Sequence, residues 1–118
     1  MMLTPQMLVG AYDFLKTTKP FCRWNLPDAD AVKFIVSSSN QEAGHYGRTP
    51  RLEDHEIAIS QSCVKQTHTL MWVMGHEMIH LYQGIRKAET SNAVHNAEFR
   101  KLAKTACQEH GWDVGFFI

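Results

Sequence analysis

Cysteine is scarce in this chain and does not pair by spacing. Cys22, Cys63 and Cys107 are odd in number and far apart, and no C-x-x-C occurs. That excludes a zinc ribbon and a dithiol redox motif. The three are expected to be reduced, buried thiols, which points to a reducing compartment. Charge of one sign is also missing: 12 Lys and Arg balance 12 Asp and Glu, for a formal net charge of zero. DNA as a partner therefore gains no support from charge, and neither does a membrane surface. No apolar run approaches a membrane span, and no basic, apolar and small-residue leader opens the chain. The expectation is a soluble, cytoplasmic protein. Internal repeats, low-complexity tracts and glycine-rich phosphate loops are absent, and no Ser-His-Asp or Cys-His arrangement is identifiable from residue order. What remains is 118 residues with an ordinary apolar share of 44%. That is enough for one modest core and one domain, taken as residues 1–118.

Histidine is the residue type that stands out, and two of the seven fall in His76-Glu77-Met78-Ile79-His80. This His-Glu-x-x-His pattern has a mechanism that requires a helix. Residues four apart on a helix lie about 40° apart around its axis, one turn up, so two imidazoles can reach one ion. Glu77, beside the first histidine, is placed to reach a water rather than the metal. Zinc with three protein ligands and a water in the fourth position lowers that water's pKa to about 7. A neighbouring carboxylate can take the proton and return it to a leaving amine. The flanks support the helix. Thr67 and Thr69 offer hydroxyl N-caps, Leu70 to Leu81 is apolar nearly all round, and Gly84 is a candidate stop before Arg86 and Lys87. Two imidazoles and a carboxyl in so apolar a segment are costly unless a partner such as a metal satisfies them.

The rest of the chain divides readily. Thr4-Pro5 opens a first helix over about 5–17, with Leu8, Ala11, Tyr12 and Leu15 as its buried stripe. Residues 18–30 form a loop, anchored by Phe21 and Trp24. Alternation predicts strands over 31–37 and 55–60, with a short one at 44–48 between them and a turn containing Pro50. Short links suggest a meandering, mostly antiparallel sheet. After the motif helix comes a polar loop over 87–94. A final amphipathic helix follows over about 95–109, ended by His110-Gly111, and an apolar tail from Trp112 to Ile118 folds back on the core. The fold class is therefore α+β, about three helices with a small three-stranded sheet packed on the motif helix.

A hydrolytic zinc site needs a third protein ligand. His95, Glu89, Glu98 and His110 lie downstream. His95 falls at the start of the last helix, on the face of Phe99 and Leu102, and Glu98 is its rival. His76-Glu77-Met78-Ile79-His80 followed by His95-Asn96-Ala97-Glu98-Phe99 resembles the SprT-like metalloprotease domain, the group that includes the Spartan-type proteases. Asn96 stands where that family's His-Gly-x-x-Phe-like motif has glycine. The resemblance spans the layout of about residues 5–110 and is specific over 70–102. It implies a zincin-like fold, zinc ligands His76, His80 and His95, and a catalytic Glu77. The zinc ribbon and basic DNA-binding segments carried by many members do not occur here.

The remaining histidines, His45, His55, His68 and His110, are expected to be hydrogen-bonded or on the surface. Tyr46 and Tyr82 could stabilise an oxyanion, but packing with the hydroxyl at the rim is the simpler reading. Arg48 and Arg51 are expected on a solvated face. Two functions of different class compete: a zinc-dependent endopeptidase acting on protein, including DNA-associated protein, and a zinc-stabilised binding module without turnover.

Overall fold

The computed structural model describes residues 2–48, 54–87 and 95–117. The turn around Pro50, Arg51, the loop bearing Glu89 and the terminal Ile118 lie outside the described residues.

Helix α1 covers Pro5–Lys16. The Thr4 hydroxyl accepts from the Met7 N–H at 3.2 Å, and proline fills the first helical position, where no N–H is needed. Leu8, Ala11, Tyr12 and Leu15 are its buried face. The segment expected as plain loop holds two 3₁₀ turns, Phe21–Arg23 and Ala29–Ala31. Phe21 is buried, and Trp24 stacks on Tyr82 with ring centroids 4.5 Å apart.

Strands β1 (Val32–Ser37), β2 (Gly44–Arg48) and β3 (His55–Ser60) form one sheet in the order β1-β3-β2. β1 runs parallel to β3, and β2 antiparallel to it. The expected meander is thus corrected to a mixed sheet. Burial gives the reason. Ile57 and Ile59 are fully buried, so β3 takes the centre, where both of its edges are hydrogen-bonded. β1 and β2, with exposed Lys33 and His45, take the edges. Helix α1 packs on β1, where Tyr12 meets Phe34 edge-on at 5.2 Å.

Helix α2 covers Thr67–Arg86 and packs against β2, β3 and α1. Its ends differ from expectation. The N-cap is Gln66, which makes no side-chain capping bond, so the threonines lie inside the first turn. At the other end the helix runs through Gly84 and stops at Lys87, which adopts the left-handed conformation (φ 56°). Gly84 serves close approach instead of termination: the Tyr46 phenol occupies the space a side chain would need. Arg48 donates to the Gly84 carbonyl, which ties β2 to the helix end; it is not on a free basic face.

Helix α3 covers Ala97–His110, with Asn96 accepting from the Phe99 N–H at 2.9 Å and Gly111 as a left-handed C-cap. The tail does fold back, and it does so as a short fourth helix, α4, Val114–Phe117, with Phe117 buried. Among the described residues no helix is long and apolar enough to cross a membrane.

Candidate metal centre

The helical spacing places His76 and His80 on one side of α2, half-buried, while the turn before Asn96 brings His95 to them. Ring centroids are 5.0 Å apart for His76 and His80, 4.9 Å for His76 and His95, and 5.3 Å for His80 and His95. One nitrogen of each ring lies within 4.8 Å of the others, so the trio can hold a metal ion. Fully buried Phe99, in the first turn of α3, is the floor. Its ring stacks on His80 at 4.5 Å and on His95 at 4.4 Å, and meets His76 edge-on at 5.0 Å. An aromatic floor of this kind restricts ring rotation without competing for the nitrogens.

The donor chemistry suits a cation. Burial lowers His76 to about 4 against an upward pull from its bond to the Phe117 carbonyl, with His95 adding to the drop. Burial, then His76, His95 and His45, lower His80 to about 3. His95 is also lowered, by burial and then by Arg100. Three imidazoles held neutral at neutral pH offer lone pairs without the cost of deprotonation. Zinc–nitrogen bonds of about 2.0–2.1 Å in a tetrahedron set ligand nitrogens about 3.4 Å apart, so small side-chain rotations close the trio. The residues present therefore fit such an ion.

Glu77 is 4% exposed and faces β2. Burial, and then Glu42, push its carboxyl up to about 8. Gly44 packs directly against it: a Cβ there would lie 2.7 Å from Glu77 Oε2 and 2.9 Å from Val73 Cγ1. Only glycine leaves the carboxyl where it is.

Glu98, the rival ligand, is engaged elsewhere. It accepts a two-pronged bond from Arg86, both at 3.1 Å, and a third from Gln83 at 3.2 Å. Gln83, 1% exposed, also donates to Asn96 at 2.9 Å. Together these form a clamp between the end of α2 and the start of α3, next to His95. His110 bonds the Thr18 hydroxyl at 3.0 Å and stacks on Trp112. His55 bonds Tyr46 at 2.6 Å, His45 lies 3.5 Å from Glu42, and His68 is exposed. Tyr82 is sandwiched by Trp24 and Arg86. Of the cysteines only Cys107 is buried; Cys22 and Cys63 sit in surface turns and are exposed, contrary to expectation. Sequence reasoning passed over Gly44, Gln83 and Phe117. A lone amide in an apolar helix flags Gln83; nothing local flags the other two.

A comparison with curated proteins returns no match. The SprT-like family model matches residues 11–114, a span that holds the second half of α1, all three strands, α2 and α3, and ends at the first residue of α4. The chain belongs to the SprT-like family.

Proposed function

We propose that this protein is a zinc-dependent endopeptidase in which His76, His80 and His95 hold the metal and Glu77 moves the proton. The observation that carries the reading is the convergence of three neutral imidazoles from two elements beside a buried carboxyl. Zinc bound there supplies an activated water and a polarised carbonyl. With such an ion held by the three histidines, the Glu77 carboxyl would be drawn back toward its ionised form against the effect of burial. Glu77 then accepts a proton and later delivers it to the departing amine. Gly44 packs against that carboxyl. β2 is an edge strand that begins at Gly44, so an extended peptide paired along its outer side passes close to Glu77.

The balanced charge offers a polyanion no general attraction. We therefore place protein alone on the substrate side. Neither single- nor double-stranded DNA should shift the chain in a gel at low salt.

The metal assignment is tested by metal analysis of the purified protein. One zinc per chain in the wild type, lost in His80→Ala, is the expected result. Wild-type protein without stoichiometric zinc, or His80→Ala with undiminished metal, removes the reading.

A further inference from the structure

The turn that follows α3 has no part in the chemistry above, yet it touches the metal centre. Gly111 ends α3, and Trp112 packs down at 9% exposure. Exposed Asp113 then closes a tight turn. Its Oδ1 accepts from the Gly115 N–H at 2.7 Å, and its carbonyl accepts from the Phe117 N–H at 3.0 Å. The turn drives the Phe117 ring into the core, stacked on Trp112 at 5.4 Å and 5.5 Å from the His76 ring. It also sets the Phe117 carbonyl 2.6 Å from His76 Nδ1.

A carbonyl can only accept, so Nδ1 of a neutral His76 must carry the proton. The lone pair is then on Nε2. A metal-ligating imidazole needs this arrangement: its second nitrogen bonded outward, which fixes both tautomer and ring plane. An imidazole free to exchange tautomers presents Nε2 as an acceptor for only part of the time.

We propose that Asp113 and Phe117 are positioning residues of the metal centre, with the Asp113-capped turn holding the Phe117 carbonyl against His76 Nδ1–H. The role rests on the zinc reading above. It makes α4 the outer support of one ligand, as the Gln83 clamp is of another. Asp113 is exposed, so its replacement tests the turn without emptying a buried site.

The experiment compares wild type, Asp113→Ala and Asp113→Asn in the full chain. Zinc affinity is measured by competition with a chelating dye. Nitrogen NMR of labelled histidines in the metal-free protein reports which nitrogen of His76 carries the proton. Asp113→Ala should bind zinc about tenfold to a hundredfold more weakly, and its His76 signals should move toward those of an exchanging imidazole. Asp113→Asn keeps an oxygen for the Gly115 N–H and should behave like the wild type in both readouts. Either readout remaining at its wild-type value in Asp113→Ala overturns the proposal. Equal losses in the two variants also overturn it, because charge and not the turn would then be responsible. A wild type that binds no zinc defeats the metal reading by itself. In that case the latch is judged on the metal-free protein alone, and a His76 protonated on Nε2 there rejects it.

Discussion

Gly44 and Glu77 meet where one added methyl would disturb the proposed proton carrier. The Glu77 carboxyl is pressed against a backbone that has no Cβ to offer, at contact distances no alanine could occupy. Gly44→Ala should push the carboxyl out of place. Displacing a reacting group by about 1 Å can cost on the order of a hundredfold in rate. We therefore expect cleavage to fall at least about tenfold while zinc content stays at the wild-type level. Gly47→Ala, on the same strand, meets nothing closer than 3.5 Å and is the control. Equal activity in Gly44→Ala and Gly47→Ala would reject the contact as a constraint. His76, Glu77 and His80 were legible in the sequence because helical periodicity alone fixes their relation. Gly44 was not, since its role depends on a residue in another element, and a glycine in a half-polar strand looks like weak strand content.

At the scale of elements, the α2–α3 clamp places the third histidine. Its members differ in what they should contribute. Arg86 and Glu98 are both more than a third exposed, so their bidentate pair is worth at most about 1 kcal/mol. Gln83 is buried and donates to two partners; Gln83→Ala removes both bonds, one of them to a carboxylate, and should cost about 1–3 kcal/mol. It should also weaken metal binding more than Arg86→Ala does. Urea unfolding and zinc titration of both variants check this, and a larger loss in Arg86→Ala would reverse the assignment. The extent of most elements followed from stripes and alternation, as in α1 and β3. What local pattern could not carry was strand order, because the parallel pairing of β1 with β3 is decided by which strand buries most apolar surface. Nor could it carry the far end of α2, where Gly84 resembles a stop and is instead a packing notch for Tyr46. The tail's apolar residues indicate an inward fold, but its helical turn forms around the bonds that Asp113 accepts from Gly115 and Phe117, which local apolar pattern does not encode.

For the whole molecule, the proposed metal and the fold should be linked. The core includes fully buried Leu8 and Leu15 of α1 and Ile57 and Ile59 of β3, elements that carry none of the trio. Removing zinc should therefore leave a folded protein, less stable by about 2.7 kcal/mol where zinc stood at a hundred times its Kd. The loosening should centre on the end of α2 and the start of α3. Complete loss of helix on chelation, followed by circular dichroism, would contradict an independent core.

The metal-free protein should also show a maximum in stability near pH 6.5. His76 and His80 have pKa values of about 4 and 3 when folded, against 6.5 in the free side chain. Below pH 6.5 the unfolded chain takes up protons the folded one refuses, and stability falls with falling pH. Glu77 acts in the opposite sense, at about 8 folded against 4.5 free. Between pH 4.5 and 8 the folded state keeps a proton the unfolded chain has lost, so this group's contribution falls as pH rises. Below about pH 6.5 the histidines, His95 and His110 included, outweigh one carboxyl, and above it the carboxyl prevails. Melting curves in chelator from pH 4.5 to 8.5 should rise and then decline. A steady rise through pH 8 would mean Glu77 is ionised in the metal-free fold.

The claim that this zinc site turns over peptide bonds, and does not merely brace a binding surface, comes down to Glu77. The measurement is cleavage of unfolded casein by zinc-loaded wild type and by Glu77→Gln, with metal content determined on the same samples. Glu77→Gln should keep one zinc per chain and lose cleavage by about 10²–10⁴-fold. Wild-type cleavage rates in Glu77→Gln, or a fully zinc-loaded wild type that cleaves nothing, would contradict the account.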